Sequence, residues 1–66
     1  MTKQQIKEWI VKTASVTMPY KKHWSVSVTL RSDINETGAT IEKAYNALTE
    51  KIHKSQYLVS LLNQLI

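Results

Sequence analysis

Few residues in this chain have types and spacings suited to chemistry. Glu50 and His53 have the E-x-x-H spacing that supplies metal ligands in helical bundles. A metal site needs three or four convergent ligands, and no partner carboxylates accompany the pair. His23 could act as a general base, but it would need a nucleophile or acid within about 3 Å and a pocket to hold substrate. The chain has no cysteine, no paired carboxylates and no glycine-rich turn to complete such a site. A pocket also needs walls, which a chain of 66 residues can hardly spare. The expectation is therefore a binding protein and not an enzyme, with no metal and no cofactor.

The groups suited to binding are more numerous. Tyr20 precedes Lys21 and Lys22 in a turn, where an aromatic beside two cations can meet nucleic acid by stacking and phosphate contact. Ser25, Ser27, Thr29 and Arg31 line one side of an alternating segment, and short hydroxyls ending in a guanidinium can bond to base edges or phosphates. Such a face is also what an ordinary solvated sheet presents. Trp9 and Trp24 could stack on bases, but both fall on faces expected to be buried.

Charge placement follows the same division. Residues 1–31 carry Lys3, Lys7, Lys12, Lys21, Lys22 and Arg31 against Glu8 alone, a net +5; residues 32–66 carry a net −1. A basic half favours an anionic partner, either nucleic acid or an acidic protein face. The N-terminus has charges every few residues and no apolar run, and no stretch reaches the ~20 apolar residues that span a bilayer. These features predict a cytoplasmic protein with no membrane partner.

The elements that must position these groups are legible from periodicity. Residues 2–14 read as a helix: Thr2 and Gln5 have capping-box spacing, and Ile6, Trp9, Ile10 and Thr13 share one face. Residues 23–31 alternate strictly, with Trp24, Val26, Val28 and Leu30 on one side, which predicts a half-buried strand. Residues 15–18 alternate weakly, and Pro19–Lys22 reads as the turn of a β-hairpin. Residues 32–39 read as a loop holding the only glycine, Gly38. Thr40 or Thr37 can cap the helix that follows.

Residues 40–66 are helical in pattern, with Ile41, Ala44, Tyr45, Leu48, Ile52, Val59, Leu62 and Ile66 on one side. Beyond Ser55 a second apolar set appears: Tyr57, Leu58, Leu61 and Leu65. A single helix of this length would reach about 39 Å, against a globule roughly 28 Å across. Either it breaks near His53–Ser55, with Ser55 capping a second helix, or it overhangs and meets another chain. Residues 23–66 resemble a ribbon-helix-helix regulator: a polar-faced strand, a helix, and a second helix opened by Ser55. That resemblance implies two chains pairing their strands into a ribbon that enters the major groove. The N-terminal helix and the loop before residue 40 depart from the pattern.

The combined expectation is one domain over residues 1–66, of α+β class and two layers. Its order is N-terminal helix, β-hairpin, and long or broken C-terminal helix (αββα). The apolar side of the hairpin, including Val16, Met18 and Leu30, packs under the helices. The expected function is that of a small nucleic-acid-binding accessory protein, with Lys12, Tyr20, Lys21, Lys22, Ser25, Ser27, Thr29 and Arg31 in contact. The alternative is a protein-binding adaptor or inhibitor of the kind mobile elements encode. It would use the C-terminal helix and a strand edge, and Tyr57, Leu58, Leu61 and Leu65 would face a partner or a second copy.

Overall fold

Thr2 opens the first helix as its spacing predicts. In the computed structural model, which describes residues 1–65, the Thr2 hydroxyl accepts from the Gln5 amide at 3.2 Å. The Thr2 amide in turn donates to Gln5 Oε1 at 2.9 Å, completing the capping box. Helix α1 spans Lys3–Thr13 and buries Ile6 and Ile10, which lie one turn apart on the apolar stripe. Ala14 ends it in an extended conformation, and the chain passes directly into a strand.

Strands β1 (Ser15–Tyr20), β2 (His23–Val28) and β3 (Arg31–Gly38) form an antiparallel sheet in the order β1-β2-β3. The central strand realises the predicted alternation only as far as Val28. Val26 and Val28 are wholly buried, while Ser25 and Ser27 point the other way. The chain then reverses at Thr29–Leu30, so Leu30 is 69% exposed instead of belonging to the core. Residues 32–38, expected as loop, belong to β3. This strand has one apolar side chain aimed inward, Ile34, and the cluster takes it in. Its other residues are polar because β3 is a sheet edge, so no alternation marks it in the sequence. Pairing with β2 satisfies its backbone on one side.

The strand order also excludes the ribbon implied by the likeness to ribbon-helix-helix regulators. Both edges of β2 are occupied within this chain, by β1 and β3. No edge of β2 is left to pair with a second copy.

Thr40 caps helix α2 (Ile41–His53), its hydroxyl accepting from the Lys43 amide at 3.1 Å. Glu42 lies in the first turn, where the helix dipole favours an anion. The long apolar run then breaks. Lys54 and Ser55 separate α2 from α3 (Gln56–Leu65), and the Ser55 hydroxyl accepts from the Leu58 amide at 3.2 Å. With this break the molecule's longest extent is 33 Å, short of what one unbroken helix would require. α2 packs on β2, β3 and α1, and α3 packs on α2. One apolar cluster joins them: Ile6, Ile10, Val26, Val28, Ile34, Ala44, Leu48, Ile52 and Leu62. Ile41 departs from the expected stripe and is exposed. Ile66 lies outside the described residues. Among the described residues no helix is long and apolar enough to cross a membrane.

Candidate nucleic-acid interface

The β1–β2 turn carries the predicted Tyr20–Lys21–Lys22 group at one end of the sheet. All three side chains are exposed, Tyr20 to 72%. The Tyr20 ring meets His23 edge to face, with centroids 5.8 Å apart and planes at 67°. Lys22 has φ of +57°, a left-handed conformation that costs a residue with a Cβ about 1–2 kcal/mol. Strain of this kind persists where surrounding structure enforces it; here the enforcing element is the hairpin pairing of Tyr20 with His23.

The same end of the sheet gathers a lysine that the sequence alone did not single out. Trp24 pairs with Gly38 across β2 and β3. Gly38 in turn presses on the first turn of α2: a Cβ there would stand 2.6 Å from the Ala44 nitrogen and 2.9 Å from the Lys43 carbonyl carbon. That close approach brings Lys43 to the end where Lys21 and Lys22 project. The signal available in advance was the spacing Gly38–Thr40–Lys43, a close-approach glycine followed by a helix cap.

Ser25 and Ser27 sit at the centre of the sheet's outer face. Thr17, Ser25 and Thr37 form one cross-strand row, and Ser15, Ser27 and Asn35 form the next. Both serines are half-buried by these neighbours. The face is uncharged and hydroxyl-rich. Thr29, expected on it, lies instead in the β2–β3 turn, where its hydroxyl donates to the main-chain oxygen of Thr13 and meets Ser15 Oγ at 3.4 Å. Thr29 ties the turn to the end of α1.

Arg31 is likewise removed from the group. It opens β3 at the end of the sheet opposite Lys21 and Lys22, about 17 Å away at 3.3 Å per residue along β2. Its guanidinium forks onto Asp33, Nε to Oδ1 at 3.0 Å and Nη2 to Oδ2 at 2.9 Å. The hydrogen bonds and charge of Asp33 raise the Arg31 pKa, and Arg31 holds the Asp33 carboxyl below its ordinary value. Lys12 stands exposed on the outer face of α1, beside Gln4, Lys7, Glu8 and Val11 along an open groove. Leu58, Leu61 and Leu65 turn partly into the chain's own core, while Tyr57 is 69% exposed.

A census of ion pairs sorts the cations. Lys3 and Lys54 meet Glu50, Lys7 meets Glu42, Arg31 meets Asp33, and Lys51 meets Glu36. Glu50 of the E-x-x-H pair is thus engaged by two lysines, and His53 is exposed at the end of α2. Among the described residues, Lys12, Lys21, Lys22 and Lys43 have no carboxylate within ion-pair distance, and three of these four share one end of the sheet. No known family model, curated protein or solved structure matches this chain.

Proposed function

We propose that this protein binds nucleic acid through the lysine end of its sheet. The observation that carries the reading is the unequal use of cations. The fold neutralises five of them internally and, among the described residues, leaves Lys21, Lys22 and Lys43 without an ion-pair partner at the end of the sheet where Tyr20 is exposed. Unpaired surface lysines retain their full attraction for phosphate, whereas an arginine forked onto a carboxylate must first give up that bond. The aromatic adds a stacking surface that tolerates any base. Ser25 and Ser27, half-buried in an uncharged face, support the contact by hydrogen bonding and carry little of its strength. A cytoplasmic location belongs to the same reading.

The test is fluorescence anisotropy with duplex and single-stranded DNA and RNA across salt concentrations. Contacts from three lysines predict a log–log slope near roughly −2.7 on duplex DNA, at about −0.9 per phosphate. Replacing Lys21 and Lys22 together with Ala should flatten that slope by up to about two units and weaken all sequences alike. Absence of binding to every nucleic acid even at about 50 mM salt, where phosphate contacts are strongest, would overturn the reading.

A protein partner is favoured by a different observation at the opposite end. Leu30 and Tyr57 are each 69% exposed, and Tyr57 lies close enough to Arg31 to contribute to its raised pKa. A partner seated there would bind with an affinity that survives moderate salt and falls with Tyr57→Ala.

A further inference from the structure

The two edges of the sheet are finished differently. Along β3, Lys51 Nζ donates to the main-chain oxygen of Asn35 at 3.1 Å and pairs with Glu36 at 3.4 Å. The Asn35 side chain donates to the main-chain oxygen of Ser32 at 2.9 Å, and the Arg31–Asp33 pair adds charge at the strand's start. Charged side chains and occupied carbonyls are how natural sheets keep an edge from pairing with another chain. Over Ser15–Met18, β1 has neither charge nor an occupied carbonyl; its own protections, Pro19 and the register shift between Thr17 and Tyr20, lie toward the Lys21–Lys22 turn. From Thr13 to Tyr20 the chain carries no charged residue, and among the described residues no side chain bonds to the main chain of Val16–Met18. The inward side of β1 is also thinly covered, because α2 packs on β2 and β3. Met18 is 49% exposed and Val16 half-buried, while Val26 and Val28 beside them are sealed.

We propose that β1 is a strand-pairing edge and that its occupant is a second copy of this chain. The two strands would run antiparallel and join two three-stranded sheets into one. Pro19 has no N–H, so the new ladder must stop at Met18. The symmetric register that leaves Pro19 outside is centred on Val16. Val16 then lies opposite Val16 of the second copy, Thr17 opposite Ser15, and Met18 opposite Ala14. Every pair matches apolar with apolar or hydroxyl with hydroxyl, as a two-fold interface requires of its own surface. An edge without charge offers a charged peptide no complementary partner, but it presents no repulsion to itself. The antiparallel arrangement also sends the two Lys21–Lys22 turns to opposite ends of the joined sheet, so they do not oppose each other. The hydroxyl faces become one continuous surface, with all helices on the other side. This pairing goes beyond the nucleic-acid reading and stands or falls independently of it.

The experiment is sedimentation equilibrium of the full chain without nucleic acid, from about 1 µM to about 1 mM, with amide hydrogen exchange at both ends of that range. The expected result is a monomer–dimer equilibrium with a dissociation constant in the micromolar range. Protection of the Val16–Met18 amides should rise with concentration. Two double variants then test the register: Ser15→Lys with Thr17→Lys, and Ser15→Glu with Thr17→Glu. Each places like charges directly opposite one another twice and should weaken self-association more than tenfold. Mixing the two in equal amounts pairs opposite charges and should restore a dimer. A wild-type chain that stays monomeric at about 1 mM overturns the proposal. So does a dimer whose β1 amides exchange as freely as in the monomer, or folded double variants that associate as wild type does.

Discussion

The two ends of the sheet are both closed by two-residue reversals, yet they treat charge in opposite ways. At the Thr29–Leu30 end, Arg31 is forked onto Asp33 and Thr29 is bonded to the main chain of α1. At the other end, neither Lys21 nor Lys22 has a carboxylate within ion-pair distance among the described residues, and Lys22 sits in a left-handed conformation. A protein optimised only for stability would relieve that backbone and pair those charges. The first end therefore serves the fold. The second end departs from the local rules, as functional regions commonly do.

Gly38 holds the start of α2 against the lysine end, and a substitution there carries the largest expected effect. An added Cβ would stand 2.6 Å from a backbone nitrogen, and backbone cannot rotate aside as a side chain can. Gly38→Ala should destabilise the protein by about 3 kcal/mol, the upper part of the range for overpacking. Denaturant unfolding measures this directly. A loss below about 1 kcal/mol would show that α2 can slide away from β3 at little cost.

Lys22 separates stability from binding at the turn itself. Glycine adopts φ near +57° without steric penalty, so Lys22→Gly should relieve strain and raise stability by about 1 kcal/mol. Under the proposed nucleic-acid reading the same change removes one phosphate contact, which should flatten the salt slope by about 0.9 on duplex DNA. Stability and affinity should thus move in opposite directions. If both fall together, the turn is a structural element with no separate binding role.

The contrast between β2 and β3 shows how much of the architecture could be read from residues. β2 buries apolar side chains on one face and wets the other, so Val26 and Val28 against Ser25 and Ser27 announce it. β3 has the same hydrogen-bonded geometry, but Ile34 is its one core residue, so periodicity cannot reveal it. Its position is dictated by the neighbouring strand and by α2 above it, which are tertiary facts. The capping residues Thr2, Thr40 and Ser55 were legible because a cap is a local hydrogen bond. For the candidate site, Tyr20, Lys21 and Lys22 were legible as a turn cluster. Arg31 stands apart because β2 ends at Val28, three residues short of the end of the alternating run. Lys43 was missed because only the Trp24–Gly38 pairing brings α2 to that end.

The smallest expected effect tests the ion-paired end. Asp33 is exposed and Arg31 half-exposed, and pairs so open to solvent contribute little at neutral pH. The sign is nonetheless defined. The Asp33 carboxyl is held below its ordinary value of 3.8, chiefly by its hydrogen bonds to Arg31. A group depressed in the folded state stabilises above its unfolded pKa, and the benefit is lost as pH falls through the folded one. The raised pKa of Arg31 works in the opposite window: its contribution is complete below the unfolded value and is lost only as pH rises through the folded one. Wild type should therefore melt slightly above Asp33→Asn at pH 6, and the two should converge as pH falls below the depressed folded-state pKa of Asp33. The same substitution frees Arg31 for phosphate. Because Arg31 lies a full strand length from Lys21 and Lys22, nucleic-acid affinity should rise less than about threefold, through the added charge alone. A tenfold gain would mean that the bound strand reaches both ends of the sheet, and the division between a structural end and a binding end would have to be abandoned.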